Sequence, residues 1–389
     1  MSRGAGIARL GPRLRTVRHR EGTTVFVAWR DLRFARGRFV LIGSVVALIT
    51  LLVGFLAGLT GGLAAQNVSA VLALPGDRLV LQQPSSGQPS FGESTIGREA
   101  RVGWQTAAGV DEVVPVGIVQ GRAIAGAASA DGGSAVGVAL FGLPAPGAGA
   151  GTVASLAPDR DDEVGLSAAA ASDLGVGVGD RVTITGTTYR VASVGGDAWY
   201  SHTPVLAMTP DAWAAADRRL GGDGAPTVLA VSGSPDWDAV AARTHTSAAS
   251  HLGSLTALET FRSEVGSLAL MIAMLFGVSA LVVGAFFTVW TMQRAGDVAV
   301  LKALGASTGS LVRDALGQAL VVLVVGIGVG TAAVVGLGAL AGGALPFLLS
   351  PLTTLVPAVA MAALGLAGAA VALRTVTAAD PLTALGSNR

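Results

Sequence analysis

The sequence has no cysteine and a single lysine, Lys302. Without cysteine there are no disulfides, no thiolate metal sites and no thiol nucleophile. Charge is scarce: 13% of the 389 residues, against about 25% in an ordinary soluble domain. A phosphate-binding loop would read G-x-x-x-x-G-K-[ST], but Lys302 is followed by Ala303. The chain therefore has no such loop, and any ATP dependence must come from a partner chain. Between residues 66 and 262, His202, His245 and His251 are scattered, with no H-E-x-x-H pair for zinc. The same region lacks a G-x-S-x-G nucleophile elbow. Nothing here suggests an enzyme, and no catalytic or metal-binding set is expected.

Apolar residues, by contrast, make up 51% of the chain, with 55 glycines and a mean hydropathy of +0.62. A membrane-spanning helix needs about 20 mainly apolar residues. Phe39 to Leu63 is uncharged and long enough, and so is Val265 to Gln293. From 315 to 373 no charge appears over 59 residues, too many for one span. Three prolines between Gly342 and Pro357 divide it. A secretory signal peptide is the rival reading of the first run, but its apolar core would be shorter, about 7–15 residues.

The expected fold class is a membrane α-helical protein: four spans in the order one plus three, with a large α/β domain inserted between the first and second. The boundaries read as a basic entry segment 1–38, span 39–63, inserted domain 64–262 and span 263–293. A connecting segment 294–314, span 315–341, turn 342–352, span 353–373 and tail 374–389 follow. Segments 1–38, 294–314 and 374–389 together hold 15 basic and 5 acidic residues, whereas 66–262 holds 11 and 19. Arginine and lysine near span ends mark the cytoplasmic side. Both termini are thus expected in the cytoplasm of a cell-membrane protein, and the inserted domain outside.

Within the inserted domain, VDEVVPVGIVQGRA reads as a strand pair. DRVTITGTTYRVASV reads as a hairpin, with Val182, Ile184, Tyr189 and Val191 on its apolar face. A short helix before it ends at Gly175, and Thr209 or Pro210 opens another. PTVLAVSG reads as a strand and PDWDAVAARTHTSAAS as a helix. The acidic run Asp159 to Glu163 lacks EF-hand spacing and reads as a solvated loop. Tyr189, Tyr200 and His202 are possible ligand contacts, although Tyr189 is more simply a core residue.

The segment Asp297 to Ser307, DVAVLKALGAS, lies between two very apolar runs. Val298, Leu301 and Leu304 are spaced by three, with Val300 beside them, so they share a helical face. Asp297 favours the positive end of the helix dipole, Gly305 can end the helix, and Ser307 can cap the next. Such a helix either docks into a groove on a partner or simply lies at the membrane interface.

RAGDVAVLKALGAS resembles the R-E-I-A-V-L-R-A-L-G-A-S segment of FtsX/MacB-type ABC transporter permeases, also termed type VII. The one-plus-three order of spans matches that family as well. The resemblance implies that Asp297, Val298, Ala299, Val300, Leu301, Lys302, Ala303, Leu304 and Gly305 form the coupling helix that meets the ATPase. Gly296-Asp297 stands where many members carry Arg-Glu. The first span and its exit, including Gly58, Leu59, Gly62, Leu63, Asn67, Ser69 and Ala70, resemble the HrtB/DevC haem-efflux-like branch. The implied partners are two copies of a cytosolic ABC ATPase, a second copy of this permease and membrane lipids, with no nucleic acid. ATP and Mg would be bound by the ATPase, and this chain would hold no cofactor. The implied activity is export of a haem-like or lipid-like amphiphile by mechanotransmission. The alternative is FtsX-like signalling to an extracytoplasmic partner such as a cell-wall hydrolase.

Glu264 is the residue that bears on this choice. An acid beside lipid is costly and points to function. With Met271, Met274, Gln66 and Asn67 it outlines a candidate substrate entrance, where Glu264 or Met271 could ligate haem iron. The plainer reading pairs Glu264 with Arg262 or Arg78 and packs the methionines against lipid.

Overall fold

A computed structural model describes residues 36–126, 134–145, 153–293, 307–341 and 345–377, together with Gly296, Val300, Leu304 and Gly305. Four long helices among these are apolar enough to cross a membrane. They are α1 (Arg36–Leu72), α7 (Glu259–Gln293), α8 (Thr308–Ala341) and α9 (Pro351–Thr377). The predicted spans lie inside them, and the helices run further. At 1.5 Å per residue, the 37 residues of α1 reach about 55 Å, well beyond a hydrocarbon core of about 30 Å.

The chain divides into two compact units: residues 1–51, 278–331 and 358–389, and residues 52–277 and 332–357. In the first unit, small residues set the helix packing. A Cβ on Gly330 of α8 would stand 2.6 Å from the Ala47 carbonyl oxygen of α1, and one on Gly326 would stand 2.9 Å from that of Gly43. Only glycine lets the two backbones approach this closely, the usual route to tight packing in lipid. Trp290 is buried here with an edge-on Phe287, 6.0 Å between ring centroids.

The second unit holds the inserted domain. Its strands are β1 (Arg78–Gln82), β2 (Val110–Ala125), β3 (Val136–Gly142), β4 (Glu163–Leu166), β5 (Arg181–Ile184), β6 (Thr187–Val194), β7 (Trp199–Tyr200), β8 (Thr203–Met208), β9 (Val228–Gly233) and β10 (Thr246–Ala249). The helices packed on them are α2 (Arg98–Gln105), α3 (Ala168–Leu174), α4 (Pro210–Leu220), α5 (Trp237–Thr244) and α6 (His251–Ser254). The strand order is β10-β1-β9-β2-β3-β8-β4-β6-β5, and β5 returns to pair with β2. One half of the domain is therefore an open sheet, the other a closed ring of pairings, and β2 belongs to both.

That double role overturns the strand-pair reading of VDEVVPVGIVQGRA. It is a single strand whose first half pairs with β9 and whose second half pairs with β3 and β5. Gly117, midway along that strand, is a socket: a Cβ there would stand 2.2 Å from the Trp213 indole. The β5–β6 hairpin forms with Val182 opposite Tyr189. Ser167 caps α3, which ends at left-handed Gly175, and Thr209 caps α4 ahead of Pro210. The helix read across PDWDAVAARTHTSAAS stops at Thr244. His245 adopts φ 51° there, and Thr246–Ala249 becomes β10, which fills the free edge of β1.

Three cores result. Trp104, Ile96, Leu229 and Val231 lie under α2 and α5. Trp213, Leu140, Leu166 and Met208 lie under α3 and α4. The third takes Val68, Ala70 and Val71 from the end of α1 and packs them with Leu79, Phe141, Tyr200 and Leu258. The first apolar helix thus continues directly into the core of the inserted domain. The expected class, a membrane α-helical protein with an α/β domain between its first and second spans, is the one observed.

Candidate functional site

The end of α1, the start of α7 and the β7–β8 turn meet at one polar node. The turn has only two residues, Ser201 and His202, with φ of 46° and 63°. A two-residue hairpin of this kind wants φ above zero at both positions, normally supplied by Asn-Gly. Here two ordinary side chains accept that strain, of order 1–3 kcal/mol each. Both backbone N–H groups are fixed to α1: Ser201 donates to the Asn67 carbonyl and His202 to the Gln66 carbonyl, each at 3.0 Å.

Asn67, one of the sequence-derived entrance residues, is wholly buried (0% exposed). Its Nδ2 donates to Glu264 Oε2 at 3.2 Å, and its Oδ1 accepts from the Thr260 hydroxyl at 2.8 Å. That hydroxyl also lies 3.2 Å from Ser201 Oγ. Glu264 Oε1 meets His202 Nε2 at 2.8 Å, with the two side chains 39% and 32% exposed. Ser69 Oγ accepts from the Trp199 N–H at 2.9 Å. Next to this cluster, burial pushes the Tyr200 phenol well above its ordinary pKa.

The partner of Glu264 is thus His202. Arg262 instead bonds Gln88 at 2.9 Å, and the Arg78 guanidinium stacks over Trp237 at 4.9 Å. Gln66 reaches the node through its backbone carbonyl. Met271 and Met274 are exposed (49% and 64%) on the run of α7 that follows Glu264. The three lie at helical intervals, seven and three residues apart, so one side of α7 carries the carboxylate and then the thioethers. His202, which the sequence offered as a possible ligand contact, completes the node with Ser201 and Thr260, which had not stood out. A histidine in a short Y-S-H-T turn carries no motif.

Elsewhere in the domain, the acidic run 159–163 is used structurally. Asp161 accepts from the Thr209 hydroxyl, and Arg160 meets Asp162 at 3.0 Å, holding that carboxyl below the usual carboxylate range. No group of three metal-binding side chains occurs among the described residues.

Of the coupling segment, Asp297, Val298, Ala299, Leu301, Lys302 and Ala303 lie outside the described residues. Leu304 N–H bonds the Val300 carbonyl at 3.0 Å, a helical turn, and Gly305 follows at φ 92°. Leu304 is 79% exposed. Ser307 accepts from the Ser310 N–H at 3.3 Å and opens α8.

Residues 269–381 match the FtsX-like permease C-terminal family. Over 375 residues, 92% of this chain and 99% of the relative, the sequence is 23% identical to the "Putative hemin transport system permease protein HrtB" of Staphylococcus haemolyticus (strain JCSC1435). It is 27% identical to an uncharacterized ABC transporter permease of Mycobacterium tuberculosis (strain ATCC 25618 / H37Rv), over 93% of this chain and 99% of that one. Among solved structures, the periplasmic region of MacB from Actinobacillus actinomycetemcomitans aligns with 45% of this chain and 88% of its own, at 11% identity and a TM-score of 0.31. The extracellular domain of the transporter YknZ from Gram-positive bacteria aligns with 44% and 98%, at 11% identity and a TM-score of 0.30. With four apolar helices and an α/β domain after the first, the chain carries an FtsX-like permease C-terminal region at 269–381 and is similar over almost its whole length to ABC transporter permeases.

Proposed function

We propose that this chain is the membrane subunit of an exporter for a haem-like or lipid-like amphiphile, powered by ATP hydrolysis in a separate cytosolic ATPase. The carrying observation is the end-to-end similarity to a protein named as a hemin transport permease. The continuity of α1 into the core of the inserted domain supports mechanotransmission, because movement of the helix must move that core. The exposed apolar turn at Val300 and Leu304 supports an ATPase contact on the basic side of the membrane. The charge asymmetry supports cytoplasmic termini and an external domain. Two permeases with two ATPases complete the assembly.

The test is reconstitution with the cognate ATPase in liposomes carrying hemin or a labelled lipid, followed by transfer to an external acceptor protein. ATP should accelerate transfer of one of the two at least several-fold over a non-hydrolysable analogue. Equal rates with both nucleotides, for both cargoes, would overturn the reading.

A further inference from the structure

We propose that the turn between α8 and α9 does not emerge into water: it lies within the membrane leaflet on the side of the inserted domain, with its leucines against lipid acyl chains. The inference stands apart from the export reading above and concerns a surface that the polar node does not use. Leu345, Leu348, Leu349 and Leu352 are all exposed, and no charged residue occurs anywhere from 315 to 373. A turn that meets water is normally polar. This one presents its leucines outward and turns its hydroxyls onto its own backbone.

Backbone that is not helical persists at membrane depth only where its polar groups find partners within the protein. Leu345 N–H donates to the Ala341 carbonyl at 2.9 Å, Phe347 N–H to the Leu345 carbonyl at 2.8 Å, and Leu348 N–H to the Gly58 carbonyl of α1 at 3.0 Å. Pro346 and Pro351 have no N–H to satisfy. Ser350 and Thr353 cap each other: Ser350 N–H donates to Thr353 Oγ1 at 3.1 Å, and Thr353 N–H to Ser350 Oγ at 3.2 Å. The Thr353 hydroxyl donates to the Leu348 carbonyl at 2.7 Å, and that of Thr354 to the Ser350 carbonyl at 2.8 Å. Depth points the same way. Phe347 fills a socket between Gly58 and Gly338, and the Pro346 carbonyl lies against Gly62. Asn67, where α1 meets the polar node, is five residues further along, about 7.5 Å at 1.5 Å per residue. Glu264 in that node is the last charged residue before the apolar run of α7. The node therefore marks the edge of the apolar layer, and the turn stops short of it.

The experiment is site-directed spin labelling of the full chain in phosphatidylcholine nanodiscs. Leu349→Cys and Leu352→Cys each give the chain one thiol for a nitroxide. Power saturation in electron paramagnetic resonance then compares two relaxants: oxygen, which concentrates in hydrocarbon, and a water-soluble nickel chelate. Asp223→Cys, in the exposed loop after α4, is the aqueous reference. At both turn positions oxygen should act more strongly than the chelate, and the chelate should act at least several-fold more weakly than at residue 223. Chelate access equal to that at residue 223 would place the turn in water and overturn the proposal. Access by neither relaxant would show a protein cover, such as a second copy of the chain, and would overturn lipid contact just as firmly. Either result leaves the export reading standing. Should Leu349→Cys not fold, Leu352→Cys, at a side chain 75% exposed, decides alone.

Discussion

Asn67 shows how one residue ties three elements together. It is wholly buried, and its amide and carbonyl serve Glu264, Thr260 and Ser201 at once. Replacing it with an apolar isostere removes both side-chain hydrogen bonds, at about 0.5–1.5 kcal/mol each, because Glu264 and Thr260 keep access to water. Asn67→Asp is the sharper test, because it sets a second carboxylate against Glu264. It should lower the thermal midpoint by several degrees in nanodiscs, and Glu264→Gln in the same chain should recover most of the loss, a coupling that independent sites do not show. Tyr200 gives a second prediction at this scale. Its neutral form is favoured by burial in the native state, so the unfolded chain ionises first. Stability from this group is intact below about pH 10, the ordinary tyrosine value, and falls as pH rises above it. Alkaline titration at 295 nm of the Tyr189→Phe variant, whose one remaining tyrosine is Tyr200, should show the phenolate appearing only with unfolding. A phenolate seen near pH 10 in the folded protein would contradict this. The sequence made Asn67 and Glu264 visible as polar residues beside apolar runs. It offered His202 only as a possible ligand contact and hid its pairing with Glu264, which depends on a two-residue turn and a partner 62 positions away.

At the scale of elements, α1 is a glycine-faced helix. Gly54, Gly58 and Gly62 recur every four residues; Val334 of α8 lies against Gly54, and the turn between α8 and α9 lies against Gly58 and Gly62. Leu348 N–H bonds the Gly58 carbonyl at 3.0 Å, and the Phe347 and Phe55 rings lie 5.0 Å apart. A Cβ at Gly62 would fall 1.8 Å from the Pro346 carbonyl oxygen. Backbone cannot give way as a side chain can, so Gly62→Val should cost about 1–3 kcal/mol and displace the turn. Gly266→Ala, with open space around it, should be neutral; equal thermal midpoints for the two variants would show that the groove does not matter. The spans were legible because length and apolarity alone define them. The glycine groove was not, since 55 glycines disguise the few that are sockets. Gly117 makes the same point: nothing in its sequence surroundings marks it, and in the fold it seats Trp213. The exposed turn before α8 carries a separate prediction. Leu304→Asp changes a residue that is almost free of packing, so stability should hold while the ATPase no longer co-purifies. Undiminished ATPase recovery would remove Leu304 from the coupling surface.

Across the whole molecule, charge and hydropathy were enough to give the order of spans, because the bilayer forces every backbone group in a span to bond within its own helix. The shared strand β2 depended on distant pairings and could not be read locally. What charge predicts beyond architecture is orientation, and the lack of cysteine makes this directly measurable. A single introduced cysteine has no competing thiol anywhere in the chain. Asp223→Cys places it in the exposed loop after α4, and Ser307→Cys places it at the exposed start of α8. Placement of 15 basic against 5 acidic residues on the cytoplasmic side requires that a membrane-impermeant maleimide label the first in intact cells. The second should label only after the membrane is opened. The reverse pattern would invert the topology and with it the export direction, because the node at His202 and Glu264 would then face the cytoplasm.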